Sequence, residues 1–205
     1  MTPRLNKIVI ASSNAGKLRE IEKLLAPLGI EIISQASCAI GEVDEPHATF
    51  VENALAKARH ASQQTGLPAL ADDSGICVNA LGGAPGVFSA RYAGEPKSDT
   101  RNNQKLVETL RAYADRSAYY YCVMVLLRHA QDPQPIIAEG VWQGEIILES
   151  RGEGGFGYDP LFFLPELSKT SAELSLEEKN LISHRGQALA KLVAMLSKDL
   201  PDRVS

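Results

Sequence analysis

The sequence predicts an α/β fold, and three observations carry that expectation. The chain opens β-α-β: an Ile/Val-rich run at Lys7–Ala11, a segment with helical periodicity, and a second short apolar run at Ile30–Ser34. The longest β-prone run, Ala118–Leu127, lies well downstream and reads as a central strand. Capping residues mark the starts of several of the helical segments that alternate with these strands.

The elements follow in order. After Lys7–Ala11 comes a polar turn, Ser12–Gly16, and then a helix with Leu18, Ile21, Leu24, Leu25 and Leu28 on one face and Gly29 as its stop. Thr49 and Glu52 make a capping-box pair ahead of a helix from Phe50 to about Gln64, with Ala54, Leu55, Ala58 and Ala61 on one side. Pro68–Ala71 reads as a short strand that ends at the polar run Asp72-Asp73-Ser74-Gly75, and Ile76–Leu81 as another. Gly82–Gly86 is a loop, and Asp99–Tyr113 a helix through Leu106, Val107 and Leu110. Ile136–Trp142 and Glu145–Leu148 read as a hairpin hinged at Gln143-Gly144. Gly152–Gly157 is a second glycine-rich loop, Ser175 to Glu178 a second capping box, and a last helix runs from about Ser183 to Leu200. At 205 residues with no internal repeat or low-complexity linker, the economical expectation is one domain over residues 1–205, either compact or as two lobes sharing a sheet.

Composition narrows the function. The chain is 44% hydrophobic and 22% charged, with a net charge of −4, which argues against a surface that coats nucleic acid. Cys38, Cys77 and Cys122 show no CxxC spacing, which points to a reducing compartment and a cytoplasmic protein. The apolar run in the first dozen residues is too short for a signal peptide, and no stretch reaches the ~20 apolar residues of a membrane span.

Four segments call for a chemical explanation. Ser12, Ser13, Asn14, Ala15, Gly16 and Lys17 lie between a strand end and a helix start, where N–H groups and the helix dipole favour an anion; the Walker A spacing is absent. Asp44, Glu45, Asp72 and Asp73 offer oxygen ligands of the kind Mg²⁺ takes, and strand geometry lets only one of Asp72 and Asp73 face a cleft. Phe156, Gly157, Tyr158 and Asp159 follow glycines that would let a flat ligand stack on Phe156, with Asp159 accepting from a purine edge. Lys179 precedes the last helix, and Ser183 as its N-cap puts His184 and Arg185 in the first turn, where cations oppose the dipole, a local mismatch that tends to mark function. A nucleotide-sensing module without turnover, or a pyrophosphatase for other nucleotides, fits some of these features; paired acids at a strand end argue against a pure phosphate binder.

These segments, with Thr49-Phe50-x-Glu52-Asn53-Ala54-x-x-Lys57-Ala58, residues 71–94 (ADDSGICVNALGGAPGVFSARYAG) and residues 154–163 (GGFGYDPLFF), resemble the inosine triphosphate pyrophosphatase family and its bacterial dITP/XTP branch. The similarity runs from about Lys7 to Leu196. The resemblance implies two lobes around a long mixed central sheet with flanking helices, the active-site cleft between the lobes, and a homodimer. It implies Mg²⁺-dependent hydrolysis of dITP, ITP and XTP to the monophosphate and pyrophosphate. By the same resemblance, Ser12–Lys17 hold phosphates, Asp73 binds Mg²⁺ and serves as base, and Ser74 contacts substrate; Phe156–Asp159, Lys179, His184 and Arg185 hold the base and neighbouring phosphates. Where relatives often read Glu-Glu-Thr-Gly, this chain has Asp44-Glu45-Pro46-His47, so either Asp44 or Glu45 is the second metal ligand.

Overall fold

The structure, a computed structural model, describes residues 5–41 and 43–199. Its strands are β1 (Lys7–Ile10), β2 (Glu31–Ser34), β3 (Ala69–Val78), β4 (Ser117–Leu127), β5 (Ile136–Ile146), β6 (Phe162–Leu164) and β7 (Lys169–Thr170). Its helices are α1 (Ala15–Leu25), α2 (Phe50–Thr65), α3 (Asp99–Leu110), α4 (Leu176–Ile182) and α5 (His184–Asp199). The strands form one mixed sheet in the order β2-β1-β3-β4-β5-β6-β7, so the expected α/β class holds and β4 is its middle strand. β1 runs parallel to β2 and β3, as a β-α-β opening requires. β6 runs antiparallel to both β5 and β7.

The chain groups into two compact units. The first takes the residues through Asp73, Val123–Glu139, and the segment from Arg185 onward; the second takes Ser74–Cys122 and Gly140–His184. Within the first, Ile8, Val9 and Ile10 of β1, Leu70 of β3 and Val123–Leu127 of β4 are essentially inaccessible, as are Ile21 and Leu25 of α1. α2 presents Ala54, Ala58 and Ala61, whose small side chains let a helix approach closely, while Leu55 is half-buried. The side chain of Leu24 and the residue Leu200 lie outside the described residues. Within the second unit the core gathers Ile76, Leu106, Leu110, Tyr120, Trp142, Tyr158 and Phe162.

Local chemistry explains the helix ends. Asn14 caps α1, its side chain accepting from the Gly16 and Lys17 N–H groups, and Gly29 at φ +66° ends the 3₁₀ turn that continues the helix. Thr49 caps α2, and Ser175 with Glu178 forms the expected reciprocal box on α4. α3 stops at Leu110, three residues short of the expected Tyr113.

Two expectations are corrected. Asp72–Gly75 does not break the chain into two strands: β3 runs unbroken through it. The acids are accommodated because each meets a lysine, Asp72 with Lys17 at 2.8 Å and Asp73 with Lys57 at 3.3 Å. Gly75 marks a close approach, since a Cβ there would sit 2.3 Å from the Gly86 carbonyl oxygen. Likewise Gln143-Gly144 is no hinge, because β5 is a single strand from Ile136 to Ile146. A Cβ on Gly144 would fall 2.6 Å from the Phe163 carbonyl oxygen and 2.7 Å from the Phe162 ring, so the glycine admits β6 rather than turning the chain. All three cysteines are free, with Cys77 and Cys122 buried. Among the described residues no helix is long and apolar enough to cross a membrane.

Candidate active site

In the first unit the polar groups converge on the end of β1 and the middle of β3. The Ser12–Lys17 turn leads from β1 into α1, with Ser13, Asn14 and Ala15 exposed and Ser12, Gly16 and Lys17 half-buried. Two of the helix N–H groups expected to face an anion are taken by the Asn14 side chain, at 2.9 Å from Gly16 and 3.1 Å from Lys17. Ser12 Oγ accepts from the Asn14 N–H, so the turn is rigidly built from its own side chains.

Behind it sits an ionic network. Asp72 is buried, with Lys17 Nζ at 2.8 Å and an Arg185 nitrogen at 3.5 Å from Oδ2. Arg185 is itself buried and pairs with Glu20 of α1. Burial works to raise the Asp72 carboxyl, but Lys17, Arg185 and Lys57 outweigh it and hold it well below the usual carboxylate range. Arg185, expected to meet substrate, is thus engaged by two carboxylates in the interior.

Asp73 is set differently. Its Oδ1 lies 3.3 Å from Lys57 Nζ and its Oδ2 accepts from Asn53 Nδ2, also at 3.3 Å. Lys57 Nζ in turn lies 2.7 Å from Glu45 Oε1, so one ammonium spans two carboxylates. Asn53 also donates to the His47 carbonyl and accepts the His47 N–H, which ties the segment carrying Glu45 to the Asp73 side chain. Asp44 is exposed, whereas Glu45 is half-buried in this group. Burial raises the Asp73 carboxyl; Lys57 and Lys17 pull it down and the neighbouring Glu45 and Asp72 push it up, leaving it above its ordinary value. Burial alone would lower Lys57, but Asp73, Asp72 and Glu45 around it raise it instead, so it remains an ammonium.

The second unit holds the other candidates. Ser74 is half-buried. Phe156 is half-buried, Tyr158 and Asp159 are buried. Asp159 does not present its carboxylate outward: Oδ2 accepts from Lys179 Nζ at 2.6 Å and from the Phe156 N–H at 2.9 Å, and Oδ1 accepts from Ser171 Oγ at 2.9 Å. Gly155 is required beside it, because a Cβ there would lie 2.0 Å from Asp159 Oδ2. Lys179 Nζ also stands 4.8 Å from the centroid of the Phe156 ring. Tyr158 belongs to the core, and its hydroxyl donates to the Ser89 carbonyl at 2.8 Å. His184 is buried and stacks on Tyr120, with ring centroids 4.6 Å apart and planes at 8°; Trp142 lies beyond at 6.3 Å.

The sequence named these candidates but not the partners they meet in the fold. Glu20, Asn53, Tyr120 and Trp142 were not singled out as site residues. Glu20 lies one helical turn from Lys17, and Asn53 and Lys57 one turn apart in the quoted Thr49–Ala58 motif, which is the signal that could have found them. Tyr120 and Trp142 carry no such local signal.

The model of the Ham1 family matches residues 8–195. A Nitrosomonas europaea protein named dITP/XTP pyrophosphatase is 74% identical over 195 residues, covering 95% of this chain and 96% of its own length. Among solved structures, a HAM1 protein from Coxiella burnetii aligns with a TM-score of 0.89 at 52% identity, over 94% of this chain and 98% of that one. The Staphylococcus aureus Ham1 protein aligns with a TM-score of 0.85 at 40% identity, over 95% of this chain and 100% of that one. By sequence and by fold, this chain belongs to the Ham1 family.

Proposed function

We propose that this protein hydrolyses dITP, ITP and XTP to the monophosphate and pyrophosphate, keeping these purines out of DNA and RNA. The names of its relatives support the substrate class. The observation that carries the chemistry is the Asp73–Lys57–Glu45 group, two carboxylates arranged about one ammonium beside the Ser12–Lys17 turn's own lysine partner, Asp72.

That group fits a magnesium ion. Its donors are carboxylate oxygens, the ligand type that Mg²⁺ takes. Mg²⁺ takes one or two carboxylates and completes its shell with waters and phosphate oxygens. Asp73 and Glu45, rather than the exposed Asp44, would hold it. When bound, Mg²⁺ offsets the charge of the triphosphate and of the departing pyrophosphate.

The protein's own groups do the rest. Asp73 accepts a proton from the attacking water. The water oxygen bonds to the α-phosphorus, the bond from that phosphorus to the bridging oxygen breaks, and pyrophosphate leaves with the electron pair. Lys17 and Lys57 supply fixed positive charge, and the exposed turn at Ser13–Ala15 receives phosphate oxygens. Phe156 offers a face to the purine, and Lys179, oriented by Asp159, donates to its 6-oxo group. Adenine brings an amino group there, setting donor against donor, a mismatch that can discriminate by ~10⁴. His184 and Arg185 stabilise this arrangement from the interior, one by stacking and one by ion pairing. Dependence on Mg²⁺, a homodimer and a cytoplasmic location belong to the same proposal.

Product analysis tests it. Wild type should turn dITP into dIMP and pyrophosphate, and Asp73→Asn should lose at least ~10² in kcat while keeping its fold. Release of dIDP and inorganic phosphate, or full turnover by Asp73→Asn, would contradict the mechanism.

A further inference from the structure

We propose that Asp99 and Asn103, on the first turns of α3, are positioning residues that set the purine-binding loop by gripping Gly157 on both of its backbone groups. The inference rests on the reading of the Phe156 loop as the purine site. Asp99 Oδ2 accepts the Gly157 N–H at 2.7 Å, and Asn103 Nδ2 donates to the Gly157 carbonyl at 3.0 Å. The two residues are four apart and so share one face of the helix.

The grip falls where it controls Phe156. The Gly157 N–H belongs to the peptide that begins at Phe156, and the Gly157 carbonyl to the peptide that leads into Tyr158. Fixing both sets the two peptide planes, while the Phe156 N–H is held separately by Asp159. Gly157 sits at φ +62°, and a Cβ there would meet nothing within 4 Å. The glycine therefore serves backbone conformation and not close packing, and that conformation needs holding from outside.

The cap of α3 comes from another residue. Ser98 is the N-cap of α3, its side chain accepting from the Arg101 N–H, so the Asp99 carboxylate is not spent on capping. The Asn103 Oδ1 is buried and has no hydrogen-bond partner among the described residues. Turning the amide over would set that oxygen against the Gly157 carbonyl. The side chain is thus kept one way round although it leaves an oxygen unsatisfied, the kind of local cost that a functional constraint explains. α3 is a firm support for this, with Leu106 and Leu110 fully buried. Its Asn102 also accepts from the Ala93 N–H and donates to the Ala90 carbonyl.

The test compares a ligand that carries the base with one that does not. Asp99→Ala, Asn103→Ala, Asp99→Asn and Asn103→Asp are measured for KM and kcat on dITP, and for inhibition by dIMP and by inorganic pyrophosphate, with thermal unfolding as the check on fold. Both alanine variants should raise KM for dITP and Ki for dIMP, Asp99→Ala about tenfold through loss of a charge-assisted hydrogen bond and Asn103→Ala about fivefold through loss of a neutral one. Ki for pyrophosphate should stay within about twofold and kcat should change less than KM. Asp99→Asn keeps an acceptor and should restore most of the loss; Asn103→Asp sets oxygen against oxygen and should be worse than alanine. If wild type binds dIMP but the folded variants bind it equally well, or if dIMP and pyrophosphate weaken in step, the positioning role is overturned. Should an alanine variant not fold, the isosteric pair Asp99→Asn and Asn103→Asp decides by the same contrast. Failure of wild type to bind dIMP at all would instead overturn the reading of the loop as the purine site, and this inference with it.

Discussion

Asp159 and Lys179 form an ion pair whose partners are 2% and 5% exposed, and its removal can be worked through in some detail. Asp159→Asn keeps the shape of the side chain. Its amide oxygen can still accept from Lys179 and from the Phe156 N–H, and its NH₂ can turn to Ser171 Oγ, which can accept as well as donate. What is lost is the negative charge that stands 2.6 Å from the buried Lys179 ammonium. Breaking one partner of a buried pair costs about 3–5 kcal/mol, because the remaining charge keeps its desolvation penalty. For a chain of this size each kcal/mol moves Tm by about 2–4 °C, so the variant should melt roughly 6–20 °C lower. The double variant Asp159→Asn/Lys179→Met removes the ammonium too, and should be no less stable than Asp159→Asn alone. The assay is thermal unfolding followed by circular dichroism, with Lys179→Met closing the double-mutant cycle. A fall below about 2 °C for Asp159→Asn, or losses that simply add in the double variant, would refute the reasoning.

Two further outcomes are expected. Gly144→Ala should destabilise by about 1–3 kcal/mol through overlap with β6, read as a lower Tm; an unchanged Tm would mean β5 and β6 are not in the contact described. Asp132 is buried at a turn, where hydrogen bonding from Arg128 overcomes burial, aided by the Arg128 and Gln134 N–H groups, and holds its carboxyl well below the ordinary 3.8. Because the fold favours the ionised form, its contribution is complete above about pH 4 and drains away as pH falls. Asp132→Asn should therefore be less stable than wild type at neutral pH, with the gap narrowing from about pH 4 towards pH 2; a gap independent of pH would show that this pair carries no such linkage.

The parts of the fold that the sequence disclosed are those decided by near neighbours. The caps at Thr49 and Ser175, the stop at Gly29 and the apolar face through Ile21 and Leu25 each depend on residues within a turn or two. The misread strands share the opposite character. Asp72–Gly75 looks like a break until Lys17, Lys57 and Arg185 are brought to it, and Gly144 looks like a turn until Phe162 and Phe163 lie against it. The same division holds in the site. The types and order of the candidate residues were legible in the motifs, but partnerships such as Arg185 with Glu20, 165 residues apart, or Asp99 with Gly157, 58 apart, exist only once the chain has folded. Asp159 is the instructive case: the sequence offers it as an acceptor for a purine edge, whereas the donors its carboxylate meets in the fold come from Lys179, Ser171 and the Phe156 backbone.

The measurement that bears most directly on the proposed activity is pyrophosphate release from dITP, XTP, ATP and GTP, each with Mg²⁺ and with EDTA. Rapid release from dITP and XTP that EDTA abolishes, with little from ATP, is the predicted result, while GTP, which shares the 6-oxo group, shows whether the 2-amino group is also read. Equal release from all four would contradict the account of base selection, and no release from any would contradict the activity itself.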